Sequence, residues 1–229
     1  MFKDYDWLLF DLDNTLLDFS QTSKRAFQEL SEIFDFHKPD SYNTYHQINA
    51  KYWHYFEKHK INAHDLRYGR FKEFLETLGS KADYTAVAEK YLHLLIDYSE
   101  WIPGAEDILK ELSQTHRLAI ITNGLKEAQH GRLEKHSMKQ YFEHIFISEE
   151  LGVSKPHQDF FQQVHQTIEE PDKHKVLVIG DNPKSDILGG EKFNYHTCWF
   201  NYHQEKKHRN IKANFKLESW SASKKQPNK

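Results

Sequence analysis

The chain contains little cysteine, glycine and proline, and it has no long apolar run. Cys198 is the only cysteine among 229 residues, which excludes an internal disulfide framework and a cluster of thiolates. The 9 glycines and 6 prolines are too few for a low-complexity chain. No apolar run approaches the roughly 18 residues of a transmembrane helix, and the acidic N-terminus does not resemble a signal peptide. These absences predict a soluble globular protein, with the cytoplasm as its compartment.

An excess of charge of one sign is also missing. The 31 Lys and Arg residues nearly balance the 34 Asp and Glu residues, so the formal net charge is −3. Such a chain has no strong overall field to attract a nucleic-acid polymer or an anionic membrane. We therefore expect a small molecule as its partner, and the sequence is silent about the oligomeric state.

The sequence does contain an alternation of apolar runs with helical patterns. Short apolar runs rich in branched residues, which are typical of buried strands, occupy residues 7–10, 118–121, 144–147 and 176–179. Helical patterns lie between them, beginning after Pro103 and at Pro156. Strands that alternate with helices predict an α/β fold with a doubly wound parallel sheet. Cys198 lies in a further apolar run, residues 196–200, and is expected in a buried strand.

Residues 18–98 form a different kind of segment. They contain no strand-like run, and their apolar and aromatic residues repeat at helical spacing in four stretches. We expect an all-helical domain inserted into the sheet domain, which then comprises residues 1–17 and 99–220. The short, polar and basic segment 221–229 is expected to be a flexible tail.

Two polar residues stand out on the apolar stripes of the insert, Asn49 and Arg70. They are the candidate substrate contacts of this segment, because the rest of each stripe is typical of the core of a small helical bundle. Ordinary bundle packing and a position on the surface remain the alternatives for both residues.

Polar side chains follow each of the four predicted strands. Asp11 and Asp13 follow the first, Thr122 and Asn123 the second, Lys155 the third after a short loop, and Asp181 and Asp186 the fourth. Parallel strands end at the same edge of their sheet, and ligands of open α/β sheets bind at that edge. We therefore expect these side chains to converge on one crevice. No Walker-type loop or Gly-x-Gly-x-x-Gly turn is present, so a Gly-rich nucleotide-binding turn is not supported.

The types of these residues suit the transfer of a phosphoryl group from a phosphate monoester. Asp11 is the expected nucleophile. Asp13 is expected to protonate the leaving alkoxide and then to deprotonate the water that hydrolyses the aspartyl phosphate. Carboxylates suit Mg²⁺, a hard ion that takes oxygen ligands, and the expected ligands are Asp11, Asp13 and Asp181.

The remaining polar residues are expected to bind and orient. Lys155 offsets the charge of the phosphate, while Thr122, Asn123 and the amides of their turn bind the phosphoryl oxygens. Asp186 is expected to orient Asp181, a water on the metal, or Lys155. Its structural alternative is an acidic residue early in a helix, which the helix dipole favours.

These segments resemble the four ordered motifs of the haloacid dehalogenase-type phosphohydrolases. The motifs are Phe-Asp11-Leu-Asp13-Asn-Thr-Leu, Ile-Thr122-Asn-Gly, Lys155-Pro and Gly-Asp181-Asn-Pro-Lys-Ser-Asp186. The resemblance implies a Rossmann-like core, and it implies that the helical insert is a cap domain. Along nearly the whole chain, including Asn49, Trp53 and Arg70-Phe71, the sequence is similar to the YjjG-type pyrimidine 5′-nucleotidase branch. That similarity implies Mg²⁺-dependent dephosphorylation of nucleoside 5′-monophosphates.

Three other function classes fit parts of the pattern. A haloacid dehalogenase uses the same nucleophile but needs no acid for its leaving group, so Asp13 argues against it. A phosphomutase keeps both aspartates and differs only in its cap contacts. A phospho-accepting receiver module combines Asp, Thr and Lys around Mg²⁺, but it is about half this length and has no helical insert. Another small phosphate ester remains the alternative substrate for a phosphatase.

Overall fold

The computed structural model describes residues 1–36, 38–58, 60–204 and 212–223. The chain forms two compact units. Met1–Phe19 together with Glu100–Lys229 form the first, here called the core unit, and Ser20–Ser99 form the second, the helical unit. The boundaries predicted from the sequence fall after residues 17 and 98, and the role of the insert as a cap stays a prediction.

The core unit is built on a six-stranded sheet in which every neighbouring pair of strands is parallel. Its strands are β1 (Trp7–Phe10), β2 (Arg117–Thr122), β3 (His144–Ile147), β4 (Val176–Gly180), β5 (His196–Phe200) and β6 (Phe215–Leu217). The strand order is β3-β2-β1-β4-β5-β6, so the direction of winding reverses between β1 and β4. The predicted α/β fold with a doubly wound parallel sheet is confirmed.

Both faces of the sheet are buried, which explains why its strands are apolar throughout. Side chains alternate between faces along a strand, and Leu8 and Phe10 pack in one apolar cluster while Trp7 and Leu9 pack in the other. Helices supply the rest of each cluster. The core unit contains α5 (Ala105–Leu112), α6 (Lys126–Lys135), α7 (Ser148–Leu151), α8 (Gln158–Thr167), α9 (Leu188–Lys192) and α10 (Trp220–Ser223).

The C-terminal part of the core unit contains two elements that the sequence did not predict, β6 and α10. β6 is a partly exposed edge strand of three residues, too short to give an apolar periodicity. α10 places the Trp220 ring 4.3 Å from the ring of Phe200, with its indole N–H donating to the carbonyl of Thr15 at 3.0 Å. The predicted flexible tail therefore begins with a helical turn, and residues 224–229 lie outside the described residues.

Cys198 lies in β5 and is fully buried. Burial raises the pKa of its thiol to about 12, so the thiolate that would react is not formed near neutral pH. Cys198 is therefore a packing residue of the sheet.

The helical unit contains α1 (Phe19–Ile33), which begins one residue before the unit, α2 (Ser41–Glu57), α3 (Arg70–Leu78) and α4 (Tyr84–Asp97). These are the four helical stretches predicted for the insert. Aromatic rings fill the interior between them, with Tyr45 in ring contact with Phe27, Phe71, Phe74 and Tyr91. Within the described ranges of the whole chain, no helix has the length and apolar character needed to cross a bilayer.

Candidate active site

The carboxyl ends of three central strands meet at one edge of the sheet. Asp11 follows β1 directly, Thr122 is the last residue of β2, and Asp181 follows β4. Phe10 is in register with Ile120 on one side and with Ile179 on the other. The sheet hydrogen bonding continues through Asp11, whose N–H donates to the carbonyl of Ile179 at 2.8 Å. Backbone pairing therefore fixes the start of each polar segment.

Lys155 lies at the centre of this edge, and its side chain is almost completely buried. Its ammonium donates to Asp11 Oδ1 at 2.7 Å, to Asp186 Oδ1 at 2.6 Å and to the carbonyl of Ile121 at 2.6 Å. An ammonium has three N–H donors, so all of them are used. Lys155 thus connects the ends of three parts of the chain that are distant in sequence.

Asp186 is fully buried, and both of its oxygens are held. Oδ1 accepts from Lys155, and Oδ2 accepts from the backbone N–H of Asn182 at 3.0 Å. Gly180 makes this close approach possible, because a Cβ at that position would lie 2.2 Å from Asp186 Oδ2. Asp186 thus accepts one of the three hydrogen bonds of Lys155, and its orienting role in the reaction stays a prediction.

Asp11, Asp181 and Asp186 have carboxylate oxygens that lie within 4.8 Å of one another. With Lys155 beside them, the formal charge of the group is −2 when all four side chains are ionised. Each pair of like charges at this separation repels by on the order of 3 kcal/mol in a protein-like dielectric. The carboxylate of Asp181 has no hydrogen-bond donor among the described residues, so this oxygen-rich, net negative group suits a divalent cation such as Mg²⁺.

Burial and mutual repulsion shift the protonation of these carboxylates. Burial raises the pKa of Asp11 to about 7, with Asp186 and Asp13 acting in the same direction and Lys155 against them. Burial, together with the charges of Asp11 and Asp186, also raises the pKa of Asp181 well above its ordinary value. The ion pairs with Asp11 and Asp186 raise the pKa of Lys155 despite its burial, so the ammonium stays charged.

Asn123 positions the loop that carries Lys155. Its side-chain amide donates to the carbonyl of Lys155 at 2.9 Å and accepts from the N–H of Lys155, also at 2.9 Å. The Asn123 side chain is therefore committed to the backbone of Lys155, and the contact of Asn123 with phosphate stays a prediction. Thr122, which is buried, keeps its hydroxyl oxygen at the same edge.

The Asp13 carboxylate is held by a helix that the sequence prediction did not include in the site. Arg132 donates to both Asp13 oxygens, to Oδ1 through Nη1 and to Oδ2 through Nη2 at 3.2 Å. Gln129 adds a third donor, from Nε2 to Oδ2 at 3.0 Å. Leu12, between the two aspartates, is fully buried in the apolar cluster, as strand alternation requires.

The sequence predicts Asp11, Asp13 and Asp181 as the metal ligands, and this stays a prediction. The carboxylate oxygens that lie within 4.8 Å of one another are those of Asp11, Asp181 and Asp186. The Asp13 carboxylate instead faces α6, where Arg132 and Gln129 donate to both of its oxygens. The Asp13 side chain remains 26% exposed.

Gln129 and Arg132 are the residues that the sequence analysis missed. Both lie on α6, three residues apart, and both are buried. A polar pair at this spacing is ordinary on the exposed face of a helix. The sequence does contain one indication of their role. Both residues come one to two helical turns after the Thr122-Asn123-Gly124 segment, close to the edge where the other polar residues meet.

The two candidate residues of the insert lie together within the helical unit. Arg70 is buried, and its Nη1 donates to Asn49 Oδ1 at 2.6 Å. Its guanidinium lies 5.1 Å from the ring centre of Phe71 and 5.7 Å from that of Tyr91. Arg70 Nε has no hydrogen-bond partner within the described ranges. Arg70 therefore packs within the helical bundle, as one alternative expects, and it also keeps an unused N–H donor, which a substrate contact would need.

Comparison with known proteins supports the motif resemblance. The family model of haloacid dehalogenase-like hydrolases matches residues 8–200. The pyrimidine 5′-nucleotidase YjjG of Escherichia coli is 30% identical over 217 residues, 94% of either chain. The pyrimidine 5′-nucleotidase PynA of Streptococcus pneumoniae is 32% identical over 218 residues, 94% of this chain and 92% of that protein.

A solved structure agrees over nearly the full length. The HAD-hydrolase YfnB of Bacillus subtilis, bound to magnesium, superposes with a TM-score of 0.84 at 31% identity and covers 96% of both chains. The match of the family model spans both the core unit and the helical unit. The resemblance inferred from the four motifs is thus confirmed, and the chain belongs to the haloacid dehalogenase-like hydrolase family.

Proposed function

We propose that this protein dephosphorylates nucleoside 5′-monophosphates, preferably those with pyrimidine bases, through a Mg²⁺-dependent reaction with an aspartyl-phosphate intermediate. Family membership and its relatives make the protein a phosphomonoester hydrolase. The main support for the proposed reaction is the buried group of Asp11, Lys155 and Asp186, which lies beside Asp181.

Asp11 is proposed as the nucleophile of the first half-reaction. Lys155 holds Oδ1, while Oδ2 has only a long contact of 3.4 Å with the Thr15 hydroxyl. An oxygen of Asp11 forms a bond to phosphorus as the ester P–O bond breaks, and Asp13 gives its proton to the leaving alkoxide. The positive charge of Lys155 and the hydroxyl of Thr122 stabilise the phosphoryl oxygens as charge shifts towards them.

Asp13 is proposed to act a second time when the intermediate is hydrolysed. Having lost its proton to the alkoxide, Asp13 takes a proton from a water molecule, and the water oxygen forms the new bond to phosphorus. The bond between phosphorus and Asp11 breaks, and inorganic phosphate leaves. Both half-reactions then use one carboxyl group in opposite directions.

The carboxylate group fits Mg²⁺: Asp11 and Asp181 are the residues that would hold it, with Asp186 beside them and its two oxygens hydrogen-bonded to Lys155 and to the Asn182 N–H. When bound, the ion supplies positive charge that allows an anionic carboxylate to approach an anionic phosphate. Lys155 alone leaves two of the three carboxylate charges uncompensated. The need for a divalent cation therefore follows from the charge count of this site.

The nucleotide preference rests on two observations. Two relatives at 30–32% identity are named pyrimidine 5′-nucleotidases. The helical unit also offers Arg70, a buried cation with an unused Nε donor that is hydrogen-bonded to Asn49. We propose that Asn49 and Arg70 contact the nucleoside part of the substrate.

A substrate panel tests the proposed function. Phosphate release is measured for pyrimidine and purine 5′-monophosphates, sugar phosphates and small phosphorylated acids, with Mg²⁺ and with a chelator. We expect kcat/KM to be highest for pyrimidine nucleotides and turnover to disappear with the chelator. Equal or faster turnover of sugar phosphates would contradict the nucleotide preference, and turnover that survives the chelator would contradict the role of Mg²⁺.

A further inference from the structure

Gln129 lies between two groups that the proposed reaction uses. Its side chain is fully buried, and its Nε2 donates to Thr122 Oγ1 at 2.6 Å and to Asp13 Oδ2 at 3.0 Å. Its Oε1 accepts from Nη2 of Arg132. One amide thus spans the proposed acid and base, Asp13, and the proposed phosphate-binding hydroxyl, Thr122.

The chemistry of the neighbours fixes which way this amide points. A guanidinium has only donors, so the Gln129 oxygen must face Arg132. The two N–H bonds of Nε2 then face a carboxylate and a hydroxyl oxygen, both of which accept. The opposite orientation would place N–H against N–H at Arg132 and oxygen against carboxylate at Asp13.

This orientation determines the direction of the Thr122 hydroxyl. Thr122 Oγ1 accepts from Gln129 and, at 3.3 Å, from the backbone N–H of Gly124. A hydroxyl has two acceptor sites and one donor, so its remaining function is donation. Within the described residues no acceptor faces that O–H, which leaves its proton available to a phosphoryl oxygen.

The turn after β2 is built around the Gln129 side chain. A Cβ at position 124 would lie 2.0 Å from Nε2 of Gln129 and 2.4 Å from its amide carbon. Glycine at this position is therefore required for the amide to reach Thr122. This close approach is independent of the hydrogen-bond pattern and supports the same role.

We propose that Gln129 is a positioning residue that keeps the Thr122 hydroxyl turned outward as a donor and holds the Asp13 carboxylate beside it. This inference rests on the proposed function. Arg132 completes the chain of hydrogen bonds, since it fixes the amide that fixes the hydroxyl. Neither Gln129 nor Arg132 contacts the phosphate in this account.

The test compares two substitutions of Gln129. Gln129→Glu keeps the shape but replaces two donors by an acceptor, so Thr122 would turn its proton towards position 129, and the added charge would repel Asp13. Gln129→Met keeps the length but removes both donors and adds no acceptor. Gln162→Glu, which makes the same change at an exposed position of α8, is the matched control.

Phosphate release with Mg²⁺ is measured together with circular dichroism and the thermal midpoint. We expect kcat to fall about a hundredfold in Gln129→Glu and at least about tenfold in Gln129→Met, with smaller changes in KM, because the lost donation acts mainly in the transition state. Gln162→Glu should match the wild type. A residue that only fills space would tolerate methionine, which keeps the length of glutamine and adds no charge.

A folded Gln129→Glu variant with kcat within about twofold of the wild type would overturn the inference. If Gln129→Glu does not fold, Gln129→Met decides, and an unchanged kcat in that variant would overturn the inference equally. A wild-type protein that releases no phosphate from any monoester would overturn the proposed function and this inference with it. An active wild type with unaffected variants overturns this inference alone.

Discussion

Lys155 shows how a single residue organises the proposed active site. Its ammonium is buried, and its three donors are all used, two of them on carboxylates. A buried charge is tolerated only when it is paired and hydrogen-bonded. Because Lys155 is paired with both Asp11 and Asp186, it holds the proposed nucleophile at a fixed place and reduces the repulsion between the two carboxylates.

Asp13 is the residue whose two proposed roles are easiest to separate. Asp13→Asn removes the proton that the leaving alkoxide needs, so cleavage of nucleotides should slow by about a hundredfold or more. Activated aryl phosphates have leaving groups that need little protonation, and their first half-reaction should slow far less. Single-turnover measurement of alcohol release checks this, because the later hydrolysis step also uses Asp13. Equal slowing for both substrate classes would contradict the acid role.

The positions of polar residues that directly follow strands are easier to predict from the sequence than the residues that hydrogen-bond to them. Asp11 and Asp181 directly follow apolar runs, so strand pairing brings their backbones to the same edge. The partner of Asp13 depends on how α6 packs on the sheet, which apolar periodicity does not specify. The sequence therefore does not indicate that Arg132 is the partner of Asp13.

The helices of the insert show what periodicity specifies at the scale of an element. The aromatic stripes predicted four helices, and the rings pack into one interior because each stripe has the spacing of a helix. Periodicity did not predict that Asn49 on α2 and Arg70 at the start of α3 would be hydrogen-bonded. That pairing depends on how α2 and α3 pack against each other, and the apolar pattern of either helix alone does not specify this packing.

The proposed role of Arg70 predicts a change in selectivity. Arg70→Ala should lower kcat/KM for a pyrimidine 5′-monophosphate by about tenfold or more, while sparing a small aryl phosphate. Asn49→Ala should act in the same direction, and Lys72→Ala, an exposed position on the same helix, is the control. Steady-state kinetics on both substrates checks the prediction. Equal effects on both substrates, or none, would place the selectivity elsewhere.

Over the whole molecule, the carboxylate group couples stability to pH and to Mg²⁺. The folded, metal-free protein holds a proton on Asp11 up to about pH 7, whereas an unfolded Asp loses it near its ordinary pKa of 3.8. The folded state therefore binds more protons between these values, and its free energy of unfolding falls as pH rises through that window. Mg²⁺ bound at this group would compete with the proton, so we expect it to bind more tightly at higher pH.

We therefore expect Mg²⁺ to raise the thermal midpoint more at pH 8 than at pH 5. At a concentration about a hundredfold above its Kd, Mg²⁺ stabilises by about 2.7 kcal/mol, which corresponds to about 5 °C or more for a chain of this size. Asp181→Asn, which removes one proposed ligand, should lose most of the response. A Mg²⁺ shift that is larger at pH 5, or unchanged in Asp181→Asn, would contradict the site.

The Asp11→Asn variant, assayed for phosphate release with Mg²⁺, tests the proposed reaction most directly. The amide keeps the shape of the side chain but loses its nucleophilicity and its charge. Circular dichroism and the thermal midpoint, measured on the same sample, establish that the variant is folded. We expect a folded protein with less than about a thousandth of wild-type kcat on a pyrimidine 5′-monophosphate. A folded variant that keeps more than about a tenth of the wild-type turnover would contradict the assignment of Asp11 as the nucleophile.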